Sequence, residues 1–185
     1  MDKISEFLEQ DIIKQNRFYI VIKDMIRQND YEIFAFFSNV EKLEVFLLMQ
    51  NIIEDEKLKI NLFRDAWTLA ECNYMYIDDI KTFFLKNKDK IMTQEEMSYL
   101  ESLPEKFTIY RGVRVPSQVD KGISWTVNKE IADKFINMQN AMHIERQNGR
   151  TSPFIYNLRK KRINKKDVIC YINERNENEI IYWER

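Results

Sequence analysis

Glycine and proline are scarce in this 185-residue chain, three of each, and all six lie beyond residue 103. The first hundred residues therefore lack the strongest backbone breakers, and their apolar residues recur at helical spacing. That pattern excludes a turn-rich β-domain there and predicts helices over about 2–14, 17–28, 30–52, 56–71 and 73–87. Cysteine is almost absent. Cys72 and Cys170 sit far apart in apolar surroundings, which reads as two buried thiols in a reducing compartment rather than a disulfide. One histidine, His143, beside two cysteines argues against a dedicated zinc site. No apolar run approaches the roughly 20 residues that span a bilayer. The N-terminus also lacks the basic-then-apolar layout of a signal peptide, so a cytoplasmic protein with no membrane partner is expected.

A hydrophobic content of 44% with 32% charged residues is that of a folded domain rather than a disordered chain. Net charge is only −1 but unevenly spread: residues 1–103 hold 13 basic against 20 acidic side chains, and residues 104–185 hold 16 against 10. A basic C-terminal half suits an anionic ligand. The acidic half could dock on it, face a basic partner, or simply present solvated helix faces.

Thr93 with Glu96 three residues on forms a capping box, and Met97, Leu100 and Leu103 follow as an apolar stripe that Pro104 ends. Beyond it the pattern turns to short strands. Residues 107–110, 122–126, 154–158, 168–172 and 180–183 are rich in β-formers. Asn128 is placed to cap a helix whose inner face would be Ile131, Ala132, Phe135 and Met138. The fold class is α+β, with an all-helical region at 1–103 followed by a small, mostly antiparallel unit at 104–185.

Candidate chemistry lies in the second region. Arg111 follows an apolar strand and precedes Gly112; a guanidinium forks onto phosphate, and glycine lets backbone approach a ligand. Alone, Arg111 reads more simply as a strand-end arginine in a surface ion pair. Ser124 and Thr126 are two apart in a predicted strand and share a face, with Trp125 on the other, in the core. They could orient a carboxylate, or they could be ordinary strand and cap residues. Glu177 and Glu179 precede the apolar run Ile180–Trp183 and, in an extended strand, would share a face about 7 Å apart. Such a pair could stabilise an oxocarbenium-like cation and activate an acceptor. Glu174 is close enough in sequence to be mistaken for either. The basic run Arg159-Lys160-Lys161-Arg162, with Lys165 and Lys166, reads as a solvated hairpin between strands rather than a nucleic-acid site.

Taken in order, Tyr110-Arg111-Gly112, Ser124-Trp125-Thr126 and Glu177-Asn178-Glu179-Ile180-Ile181 resemble the arginine–serine–glutamate class of mono-ADP-ribosyltransferases, in the flavour of bacterial toxins and phage-encoded enzymes. The resemblance covers about residues 104–185. It implies a split antiparallel β-core with a short helix, NAD as co-substrate in a cleft between two sheets, and no metal. It also implies that Arg111 binds the NAD phosphate and ribose, that Gly112 meets the nicotinamide amide, and that Ser124 orients Glu179. Thr126 would line the NAD site, Glu179 would hold the ribose hydroxyl and stabilise the cation, and Glu177 would activate an acceptor arginine. Here the serine element is Ser-Trp-Thr where better-known toxins have Ser-Thr-Ser, and the segment before Glu177 leaves little acceptor-recognition loop. The expected protein is thus a transferase, a phage or bacterial effector that modifies a host protein, with the N-terminal helices recognising the target or covering the cleft. The competing expectations are an NAD glycohydrolase and a non-catalytic binding or inhibitor protein on the same fold.

Overall fold

The computed structural model describes residues 2–70, 74–115, 122–146 and 155–184; Cys72 and Phe154 lie outside them. The chain divides into two compact units, Met1–Asn87 and Lys88–Arg185. In the first, Asp2 accepts from the Ser5 N–H at 2.8 Å and starts α1 (Lys3–Leu8). Extended Gln10 then separates it from α2 (Asp11–Lys14), so the helix expected over 2–14 is two. Helix α3 (Tyr19–Arg27) ends before Asn29, which takes a left-handed φ of 58°. The single helix expected over 30–52 is likewise broken. Residues Ile33–Phe36 form a 3₁₀ turn, Phe37 is extended, and α4 covers only Lys42–Met49. Ser38 explains the interruption. Its backbone N–H and hydroxyl both donate to Glu41 Oε2, at 2.8 and 2.6 Å, and so offer the backbone an alternative to helix. Asparagine and serine do here what the missing glycine and proline usually do.

Helix α5 (Glu56–Leu69) is capped by Asp55, and a 3₁₀ turn at Tyr74–Tyr76 leads into α6 (Ile77–Ile91), within which the division falls. The core of the first unit is aromatic: the Phe63 ring lies 4.3 Å from Phe83, 5.0 Å from Phe84 and 5.3 Å from Phe46, centroid to centroid.

In the second unit the end of α6 is followed by α7 (Gln94–Ser102), which carries the expected capping box. Glu96 does more than cap. Its Oε2 accepts from the Thr93 N–H and its Oε1 from the Asn173 N–H, both at 2.8 Å, in a buried setting. Replacing Glu96 with alanine strands two backbone donors and is expected to cost about 2 kcal/mol or more in urea unfolding. A loss under about 0.5 kcal/mol would contradict that double role.

The remaining elements are β1 (Lys106–Val115), β2 (Ser124–Thr126), α8 (Lys129–Arg146), β3 (Ile155–Asn164), β4 (Cys170–Ile172) and β5 (Glu179–Ile181). They make a five-stranded antiparallel sheet in the order β3-β1-β2-β5-β4. Strands β1 and β3 pair along ten consecutive residues, whereas β1 meets β2 in one registered pair, Tyr110 with Thr126. The basic run 159–162 is therefore strand, not hairpin; only Lys165 and Lys166 lie in the turn that follows. Among the described residues no helix is long and apolar enough to cross a membrane. Cys170 is fully buried.

Asn128 caps α8 as its position suggests, accepting from the Glu130 N–H at 2.9 Å. The buried face of that helix differs from the expected one. Ala132 is buried, but Phe135 and Met138 are exposed. Ile136 packs inward instead, with its Cγ1 2.8 Å from where a Cβ on Gly112 would stand. The glycine recess in β1 thus selects the face of α8 that docks.

Candidate functional site

Strand alternation sorts the candidate residues. Tyr110 pairs with Thr126, Thr126 with Glu179, and Glu179 with Ile172, a row that crosses four strands. Directly opposed side chains share a face, and Ser124 pairs with Ile181 two residues along the same face. Ser124, Thr126 and Glu179 are therefore brought together, and Glu179 is the diagonal neighbour of Ser124, about 7–8 Å away along such a ladder. The opposite face carries Trp125, Ile180, Tyr171 and Ile109, buried as one core with Leu100 of α7 and Leu103 just after it packed against them.

Arg111 follows Tyr110 in an unbroken ladder, so its backbone position belongs to the Trp125 face, not the Glu179 face. Its side chain still reaches the start of β2. The guanidinium atoms lie within 1.8 Å of where a Cβ on Gly122 would be, two residues before Ser124. Only glycine at 122 leaves Arg111 that place. Gly112, expected to approach a ligand through its backbone, instead has its α-carbon face filled by Ile136.

The glutamates do not form the expected same-face pair. Glu179 is in β5, but Asn178 between them has φ 49°, so strand alternation does not extend back to Glu177. Glu177 belongs to a loop, residues 173–178, whose shape three asparagines help to set. Asn173 accepts from the Asn178 N–H through Oδ1 (2.9 Å) and from the Asn176 N–H through its carbonyl (3.2 Å). Asn176 and Asn178 both take left-handed backbone, with φ 56° and 49°, a conformation asparagine tolerates better than most residues. Tyr171 donates its hydroxyl to Asn178 Oδ1 at 2.8 Å. Burial, with Tyr99 and Glu96 nearby, pushes the Tyr171 pKa up to about 12. Reasoning from sequence misses these asparagines; their density between residues 173 and 178 is the signal that points to them.

Thr126 also differs from expectation. It is buried, and its hydroxyl donates to the Glu177 carbonyl at 2.7 Å while accepting from the Asn128 N–H at 3.0 Å. Thr126 therefore ties the glutamate loop to the start of α8 rather than offering its hydroxyl to a ligand. Thr126→Val is expected to destabilise the fold by about 1–2 kcal/mol, read by chemical denaturation; an unchanged midpoint would contradict that tie.

The Glu177 carboxylate pairs with Arg175 at 2.9 Å, on side chains 25% and 48% exposed respectively. Glu174 is exposed in the same loop. Together the arrangement offers the Glu179 carboxylate diagonal to Ser124 on one sheet face, a guanidinium reaching the mouth of β2, and a second carboxylate already engaged by a guanidinium. Comparison of the chain with protein-family models, curated proteins and solved structures finds no match.

Proposed function

We propose that the chain transfers ADP-ribose from NAD to a protein side chain, arginine by preference, with release of nicotinamide. The observation that carries this reading is the placement of Glu179 across from Thr126 and diagonal to Ser124, while Arg111 reaches Gly122 at the entrance to the same strand. In this reading Arg111 holds phosphate, Ser124 orients Glu179, and Glu179 holds the ribose hydroxyl and stabilises the positive charge that develops as the nicotinamide bond breaks. The sheet would work as a split core, because β1 and β2 share one registered pair and a dinucleotide could enter beyond it. Glu177 would accept the proton of the incoming guanidinium. Thr126 and the asparagines set the loop from which Glu177 acts. Such an enzyme, made by a phage or bacterium, would modify a host protein, with the N-terminal helices choosing the target or covering the NAD site.

One observation favours a second reading, NAD glycohydrolase. Arg175 already occupies the Glu177 carboxylate, which an acceptor arginine would have to displace and water would not. Incubation with labelled NAD and cell extract separates the two. Transfer puts label on a protein band that Glu177→Ala removes while nicotinamide release persists. Hydrolysis yields free ADP-ribose, no labelled band, and little response to Glu177→Ala. If no NAD is consumed, the chain is a non-catalytic binder and both enzymatic readings fail.

A further inference from the structure

Strand β3 is an edge of the sheet, paired on one side with β1. In an antiparallel ladder the N–H and C=O of one residue point the same way, and those of the next residue point the other. Tyr156 fixes the direction in β3. Its N–H donates to Asn140 Oδ1 at 2.7 Å, and its carbonyl accepts from Asn140 Nδ2 at 3.1 Å, so one side chain of α8 takes both groups as a neighbouring strand would. By alternation Leu158, Lys160 and Arg162 also turn their backbone groups outward, and among the described residues these groups meet no partner.

The side chains of these three residues share one face, because Leu158 pairs with Gly112, Lys160 with Tyr110 and Arg162 with Thr108. Lys160 and Arg162 are exposed and Leu158 is half-buried. Among the described residues no carboxylate pairs with either cation, whereas Lys161 on the other face is paired with Glu184. Lysine on an edge guards against pairing with a like edge. A second β3 laid alongside would set cation near cation, but a strand of opposite charge is admitted. Nucleic acid fits less well: phosphates accept from N–H groups and leave the outward carbonyls unanswered.

We propose that the β3 edge at residues 158–162 binds an extended acidic segment of a partner protein by strand addition. Main-chain bonds to Leu158, Lys160 and Arg162 give the affinity, and carboxylates opposite Lys160 and Arg162 give the selectivity. Asn140, already bonded to Tyr156, marks where the added strand stops. Docking of this kind does not need NAD.

The test is an NMR titration of the intact chain with a short peptide in which glutamate and threonine alternate. Expected are shifts and slowed hydrogen exchange at the Leu158, Lys160 and Arg162 amides, weakening with added salt. Lys160→Glu combined with Arg162→Glu should lower the affinity about tenfold or more while the thermal melt is unchanged. A peptide residue directly opposite Lys160 exchanges both backbone bonds with it and shares its face. Methylating the glutamate amides should therefore abolish binding, and methylating the threonine amides should not. These peptide changes leave the fold of the protein untouched. No response at the three amides overturns the proposal, as does equal binding of a peptide with lysine in place of glutamate. Undiminished binding of the peptide methylated at glutamate rules out strand addition. A chain that sediments as a dimer, with these amides already protected, puts a second copy on the edge and overturns it too. Tighter binding of a single-stranded oligonucleotide through Lys160 and Arg162 would overturn it in favour of a nucleic-acid surface.

Discussion

Glu179→Gln is expected to lower nicotinamide release by on the order of 10²–10³-fold while leaving the fold intact. Glutamine matches the shape of glutamate and keeps β5 paired with β2 and β4. What it lacks is the negative charge that would meet the cation formed as the glycosidic bond breaks. The effect should fall on kcat rather than on KM, because the charge matters most when the bond is breaking. Glu177→Gln should behave differently: modification of protein is lost, and slow hydrolysis of NAD remains. Nicotinamide release by Glu179→Gln at the wild-type rate would sink both the transferase and the glycohydrolase. An unchanged thermal melt of the variant guards against a trivial loss through unfolding.

Phe63→Ala carries the largest expected cost in stability, about 3–5 kcal/mol. Phe63 is fully buried, and the rings of Phe46, Phe83, Phe84 and Trp67 surround it at centroid distances of 5.3, 4.3, 5.0 and 6.5 Å. Alanine would leave a cavity that the stiff rings around it cannot close, on top of the lost transfer energy. A domain at the low end of the usual range of about 5–15 kcal/mol would be close to unfolding at 37 °C. The first unit should lose its melting transition by circular dichroism or shift it strongly downward. Phe63→Leu, which restores much of the volume, should recover most of the loss. A shift equivalent to less than about 1 kcal/mol for alanine would mean that the ring cluster relaxes around the gap.

Features written in a few adjacent residues are legible in the sequence. The capping box at Thr93 and Glu96, the cap at Asn128 and the halt before Pro104 each depend on hydrogen bonds or sterics within one turn, and each stands. Leu103, the residue before that proline, is extended as the ring requires. The helical first region and the antiparallel strands of the second are also readable, because period and breaker content are local quantities.

The rest is settled between competing local choices and between elements distant in sequence. The break inside residues 30–52 comes from Ser38 reaching Glu41, a local bond that competes with helix. Which face of α8 is buried depends on a recess at Gly112 in another strand. The basic run is strand because β1 offers ten consecutive partners. Sequence spacing alone places Glu177 beside Glu179, whereas the left-handed Asn178 takes Glu177 off the strand and Thr126 holds it in a loop.

By itself the sequence determined which chemical groups this protein carries and the order in which its strands present them, because residue type and short-range periodicity are properties of the chain. Tertiary structure alone decided which of those groups share a face, that Glu179 meets Thr126 first and that Arg111 stands opposite Arg159. Strand register sets those neighbours, and register is fixed by packing and by hydrogen bonds between segments that local sequence does not encode.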